Sequence, residues 1–275
     1  MTQSEIPEGP VPESIQTRKI VAIPAVGTEE ARIDPVAVEA PLELRINGQA
    51  ETVMMRTPGH DEELVLGFLY AENVISEIGD IVAMERPNAE NIQIIDVKLT
   101  STRKFQGMDR PLYSNSSCGV CGKRSLASLE VHGPRLESDF RLNRNLLCPL
   151  PGRLRKNQKL FSETGGVHAA GLFSPEGSLV TLREDVGRHN ALDKLIGWAL
   201  SEGLVPLNEF ILLLSGRVSY ELIQKAIRAS IPVVAAVGAP STLAIELAEQ
   251  FGITLLGFLK NDHFNCYSHS SRIAL

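Results

Sequence analysis

The chain has 275 residues, of which 43 % are hydrophobic and 22 % charged, and a formal net charge of −6. That length suits two modest domains or one large α/β domain, and the composition is that of an ordinary globular protein. The acidic balance argues against a general nucleic-acid binder, so an anionic ligand would need a local basic pocket.

No apolar run approaches the ~20 residues that span a bilayer; the longest, such as Ile231 to Ala239, are interrupted by Pro or Gly. The opening residues, MTQSEIPEGPVPES, lack the charged-then-apolar order of a secretion signal and read as part of a disordered arm over 1–18. A cytoplasmic protein without a membrane partner is the expectation. Four cysteines occur, Cys118, Cys121, Cys148 and Cys266. In a reducing compartment the C-x-x-C pair points to metal, redox or sulfur chemistry rather than a disulfide framework.

The first expected element is a hairpin, with LELRI and ETVMM flanking Asn47-Gly48, a strong two-residue turn signal. After the turn Thr57-Pro58-Gly59-His60, a helix is expected from Asp61, capped by the Asp61 side chain. It carries Leu64, Phe68, Ala71 and Ile75 on one face. Short strands near 81–84 and 92–99 would complete an α+β module over residues 19–149. Residues 111–125, PLYSNSSCGVCGKRS, lose apolar periodicity and read as a mobile loop.

From residue 150 to 275 apolar strands and amphipathic helices alternate. Strands are expected over 179–182, 209–214, 232–237 and 254–259, with helices starting near Ala191, Tyr220 and Ser241 between them. This alternation predicts an α/β domain with a mostly parallel sheet covered on both faces.

Four segments could carry chemistry. In C118-G-V-C121 the thiolate is the reactive form, and Lys123 and Arg124 beside it favour that form. Half of a zinc site, a dithiol redox centre and a persulfide carrier all remain open for it. A complete zinc site lacks further paired ligands, so no zinc is expected. TGGVHAA, residues 164–170, is similar to the first zinc-ligand helix of nucleobase deaminases but has no Glu two residues after His168. Deaminase chemistry is therefore unsupported, and His168 reads equally as a pocket-lining or a core histidine.

REDVGRHNALDK, residues 183–194, gathers Arg183, Arg188 and His189 where a strand gives way to a helix, with Asp185 or Asn190 as a possible cap. Open α/β sheets hold their ligands at such places. In LLLSGRVSYE, residues 212–221, Gly216 lets a backbone approach closely and Arg217 adds a forked donor at a helix start. GAPSTLAIE, residues 238–246, repeats the design.

Together the segments MRTPGHDEELVLGFL, SSCGVCGK, TGGVHAA, REDVGRHNALDK, LSGRVSYELIQKA and GFLKNDHFNCY resemble the formate dehydrogenase accessory sulfurtransferase family, FdhD/NarQ. The resemblance implies a sulfur carrier. Such a protein accepts persulfide sulfur from a cysteine desulfurase and passes it to the bis-molybdopterin guanine dinucleotide cofactor (Mo-bis-MGD) of formate dehydrogenase, with GDP as a surrogate ligand. It further implies that Cys118 carries the persulfide and Cys121 assists, and that Phe258, Leu259, Lys260, Asn261, Asp262 and His263 form a cofactor-binding stretch. A cytidine deaminase-like second domain and a homodimer are also implied. The residues fit this reading on their own terms. A ligand with two pyrophosphates and two guanines needs several anion-binding junctions, and a flexible thiol must reach its molybdenum. A cofactor-docking chaperone and a dithiol redox protein are the alternatives.

Overall fold

The computed structural model describes residues 14–87, 93–100, 135–136 and 140–274. The chain opens with a two-stranded antiparallel ribbon, β1 (Ile15–Ala22) and β2 (Glu30–Ala37). Ordered structure therefore starts before the Asn47-Gly48 hairpin, and inside the segment 1–18 expected to be a disordered arm. The hairpin itself forms, as β3 (Ala40–Ile46) and β4 (Gln49–Arg56), with Asn47 and Gly48 both at positive φ. It joins β5 (Ile81–Glu85) and β6 (Ile94–Leu99) in a four-stranded sheet of order β4-β3-β6-β5.

The helix α1 (Asp61–Ala71) follows a tight turn in which Gly59 and His60 both take positive φ, 99° and 56°. His60 is the N-cap and no side chain caps it. Asp61 is committed elsewhere: its carboxylate accepts two hydrogen bonds from Arg56, at 2.9 and 2.8 Å, with both residues buried. The expected Asp61 cap is thus replaced by an ion pair, because a buried guanidinium needs its counter-charge more than a helix end needs one acceptor.

A small parallel pair links β7 (Leu142–Asn143) to β14 (Ile273–Ala274). Two short helices, α2 (Arg144–Leu147) and α3 (Leu150–Asn157), precede α4 (Lys159–Thr164). Leu142 and Leu147 are fully buried against the second sheet, so the stretch just before residue 150 belongs with the C-terminal half.

That half is built on a six-stranded sheet of order β13-β12-β11-β10-β8-β9. Its strands are β8 (His168–Phe173), β9 (Leu179–Asp185), β10 (Ile211–Leu214), β11 (Val233–Ala236), β12 (Thr254–Gly257) and β13 (Asn265–Ser268). β10, β11 and β12 pair parallel; β8, β9 and β13 pair antiparallel with their neighbours. The expectation of a mostly parallel sheet is corrected to a mixed one. Its cause lies at His168: the stretch likened to a zinc-ligand helix is the strand β8, whose Ala169–Phe173 run is buried and packs into the sheet.

The helices α5 (Arg188–Ser201), α6 (Tyr220–Arg228) and α7 (Thr242–Phe251) connect the strands. Along β10, Leu212 and Leu214 face the core shared with α5 and α6, whereas Ile211 and Leu213 face Leu150 and Leu154 of α3. Alternate residues of one strand thus bury against two helical layers. The larger core does not stop at the module boundary: Leu42, Leu64, Leu69 and Ile95 share it with Leu192, Leu195 and Leu222. At its centre α1 crosses α5 backbone to backbone. A Cβ on Gly67 would lie 1.8 Å from the Asp193 carbonyl oxygen, and one on Gly197 1.8 Å from that of Glu63. Among the described residues no helix is long and apolar enough to cross a membrane.

Candidate functional site

The three parallel strands end together, and the loops beyond them touch. Val237 N–H donates to Leu214, Gly238 N–H to Gly216 and Phe258 N–H to Gly238, each bond 3.0–3.1 Å long. A Cβ on Gly238 would sit 2.7 Å from the Gly216 oxygen, so only glycine permits that approach. Gly216 in turn lies under the His168 ring, whose Nδ1 would be 3.1 Å from an added Cβ. His168 starts β8, and Ser215 ties the two strands: its N–H donates to Ala169, and its Oγ accepts from the Ala169 N–H at 2.8 Å. Phe258, at φ 51°, is 41 % exposed, and Val237, one residue before the Gly238 that the Phe258 N–H meets, is 40 % exposed. An aromatic residue held in the left-handed region with its ring in solvent is unusual, and such outliers concentrate at binding sites.

The first turn of α5 completes this rim. Arg188 and His189 are its first two residues, preceded by the N-cap Gly187. His189 is buried, and its Nε2 lies 2.9 Å from Glu221 Oε2 and 3.1 Å from Ser219 Oγ. Two buried polar atoms here have no hydrogen-bond partner among the described residues: Arg188 Nε and His189 Nδ1. The charges converge on His168. Burial first, and then Arg188, Arg217 and His189, lower its pKa against the opposing pull of Asp185.

Beside His168 opens a cavity of about 590 Å³, lined by Pro151, Leu154, Arg155, Gln158, Phe161, Gly165, Gly166, Val167, His168, Ser215 and Val237. This volume lies within the range of small-molecule sites. Arg155 stacks over the Phe161 ring at 4.6 Å. Pro151, Leu154, Arg155 and Phe161 come from α3 and α4, which carry no recognisable motif, so sequence reasoning missed this wall.

The site residues expected from the sequence divide into four groups. His168, Arg188, His189, Gly216, Arg217 and Phe258 come together at the rim, with Arg217 exposed. Lys260, Asn261, Asp262 and His263 form an exposed turn, closed by a Lys260 N–H bond to the His263 carbonyl and a 2.8 Å contact between His263 Nδ1 and Asp262 Oδ1. Two residues are corrected. Leu259 is fully buried in the outer core, so its side chain packs rather than binds. Arg183 is 5 % exposed, and its guanidinium is taken up by the Glu63 carboxylate, Thr181 Oγ1 at 2.8 Å and the Leu182 carbonyl at 2.8 Å. It ties β9 to α1 and has little left to offer a ligand. Cys118 and Cys121 lie outside the described residues.

Asp185, a possible cap from the sequence, supports the rim from below. Its Oδ1 accepts from Gly187 N–H at 2.8 Å and Asn190 Nδ2 at 3.0 Å; its Oδ2 accepts from Thr57 N–H at 3.0 Å and pairs with Lys194 Nζ at 2.7 Å. One carboxylate thus anchors the start of α5 to the turn after β4. Ser219, Glu221 and Thr57 were absent from the sequence-based site; each acts across more than 25 residues of chain, beyond any local pattern.

A sequence profile of the FdhD/NarQ family matches residues 37–274. The chain belongs to the FdhD/NarQ family. Its relatives include the sulfur carrier protein FdhD of Nocardia farcinica, 44 % identical over 270 residues, which cover 93 % of this chain and 94 % of that one. The protein of the same name from Sulfurisphaera tokodaii is 43 % identical over 249 residues, 90 % and 94 % of the two chains. Among solved structures, a Desulfotalea psychrophila protein described as a formate dehydrogenase accessory protein superposes with a TM-score of 0.75. It is 25 % identical, and the match covers 94 % of this chain and 99 % of that one. The FdhD/NarQ fold therefore spans both sheets, and the rim belongs to the part of the chain that the family profile covers.

Proposed function

We propose that this FdhD/NarQ chain is a cytoplasmic sulfur carrier for formate dehydrogenase. It would bind Mo-bis-MGD, as a client, at the rim and deliver sulfur to it from Cys118. The observation that carries the reading is the pair of buried atoms without partners, Arg188 Nε and His189 Nδ1, at the start of a 14-residue helix. Unsatisfied buried polar atoms are costly, Arg188 Nε can only donate, and a helix N-terminus favours anions, so a phosphate group of the cofactor's nucleotide arms is the natural occupant. The Gly216 and Gly238 backbones allow close approach, Arg217 adds a forked cation, and the exposed Phe258 ring offers a surface on which a guanine can stack. The turn Lys260–His263 follows at once along the chain.

The sulfur step uses residues outside the described region. The Cys118 thiolate attacks the outer sulfur of a cysteine desulfurase persulfide; the new S–S bond forms on Cys118, and the desulfurase cysteine leaves as a thiolate. Cys121 assists or relays. A homodimer would bring two rims to one client with two nucleotide arms.

Mass spectrometry after incubation with a cysteine desulfurase and cysteine tests the reading. A gain of one sulfur atom on Cys118, abolished in Cys118→Ala, is expected. Loss of two hydrogens across Cys118 and Cys121 would assign a dithiol redox protein instead. Unmodified cysteines in a chain that still binds GDP would leave only a docking chaperone.

A further inference from the structure

We infer that Glu221 is a positioning residue that holds His189 with its Nδ1 toward the anionic part of the ligand, and thereby couples nucleotide binding to protonation of His189. The inference rests on the nucleotide-site reading above and adds to it a residue and a proton.

Hydrogen-bond valence carries the argument. A carboxylate can only accept, so with Glu221 Oε2 at 2.9 Å the proton on His189 resides on Nε2. Ser219 Oγ, at 3.1 Å from the same nitrogen, helps fix the ring plane. Both side chains of the pair are more than nine-tenths buried, so the ring is held by packing as well as by its partners. Nδ1 is thereby turned to the opposite side, where it has no partner among the described residues.

The neighbouring orphan decides what belongs there. Arg188 Nε can only donate, so the missing atom beside it is an acceptor. An oxygen shared by or bridging these adjacent residues at a helix start is best supplied by a phosphate. To donate to that oxygen, Nδ1 must also carry a proton. The bound form is then the imidazolium, with Nε2–H on Glu221 and Nδ1–H on the ligand, the second proton being drawn from solvent.

The charges around the ring are mixed. Glu221 from α6 and Asp193 from α5 place negative charge beside the ring, with Lys225 standing behind both carboxylates. Arg188 from α5 and His168 from β8 lie on the ligand side, and an arriving anion offsets the positive charge gathered there. Glu221 is therefore the group that lets a third cation form beside Arg188 and Arg217.

The test is calorimetric titration of GDP into the full chain between pH 7.5 and 8.5, where the terminal phosphate, with a pKa of about 6, is already ionised and the guanine N1–H is retained. Wild type should lose affinity as pH rises, and its binding heat should vary with the ionisation enthalpy of the buffer, reporting proton uptake. Glu221→Gln keeps an acceptor for Nε2 but removes the charge. It should bind about tenfold more weakly at pH 7.5 and lose affinity at lower pH than wild type. Glu221→Asp should recover part of the wild-type profile, and His189→Asn should bind weakly with no pH dependence over this range. A wild-type profile that is flat and independent of buffer overturns the inference without recourse to any variant, as does a Glu221→Gln profile that overlays wild type in a folded protein. Failure of wild type to bind GDP at any pH, with Cys118 still accepting sulfur, would instead remove the nucleotide-site reading on which the inference stands.

Discussion

Two sets of buried polar groups meet around the first two turns of α5, and they are finished differently. Under the rim, every charge has an answer. Asp185, fully buried, meets Lys194, Asn190, Gly187 and Thr57. Lys194 also donates to the Thr57 carbonyl at 2.8 Å, and Lys225 holds Asp193 at 2.7 and 2.9 Å. At the rim itself, Arg188 and His189 each keep a buried nitrogen unanswered. Burial is common to both sets, so burial alone does not mark function. The satisfied set stitches the N-terminal module to α5; the unsatisfied set is where the proposed ligand would complete the fold.

Breaking the satisfied set should have the largest effect on stability. Lys194→Met strands the Asp185 carboxylate in the interior and should cost about 3–5 kcal/mol, read by urea unfolding. Arg188→Met, six residues earlier in the same helix, removes a donor that has no partner and should change stability by no more than about 0.5 kcal/mol. Equal losses in the two variants would erase the distinction between the sets.

The crossing beneath them is next. Gly67→Ala sets a methyl against the Asp193 carbonyl, a backbone obstacle that no rotamer can relieve. It should cost about 3 kcal/mol, the upper end of overpacking, and lower the melting temperature.

The Glu63–Arg183 pair is the smallest and the most sensitive to pH. Burial works to raise the Glu63 pKa, but the hydrogen bonds and charges of Arg183 and His60 prevail and hold it below its ordinary 4.5. The folded carboxyl therefore ionises more readily than the unfolded one. Its contribution is complete above about pH 4.5 and is lost as pH falls through the lower folded value. Glu63 keeps 20 % exposure, so solvent screening limits the effect. Glu63→Gln should cost about 1 kcal/mol at pH 7 and progressively less toward pH 3. An acid-unfolding curve identical to wild type would show that this pair contributes nothing.

The sequence by itself determined the elements that depend on near neighbours. The Asn47-Gly48 hairpin, the helix from Asp61, and the strands and helices from residue 179 to 257 follow from turn chemistry and apolar period, which act over a few residues. Junction chemistry likewise marked Arg188, His189, Gly216 and Arg217, because a strand-to-helix junction carries a local signature of small and basic residues. Tertiary structure decided the rest, and for one reason: pairing across the chain is not written in local pattern. The ribbon before residue 40 alternates too weakly to announce itself, and the likeness of residues 164–170 to a deaminase zinc-ligand helix is not realised, because His168-Ala169-Ala170 suits helix or strand and here pairs as β8. Arg183 resembles Arg188 in sequence, yet one faces Glu63 across 120 residues and the other faces the rim. Only the crossing of α1 over α5, held at backbone contact by Gly67 and Gly197, determines which of the two arginines is already satisfied and which still has a donor to offer.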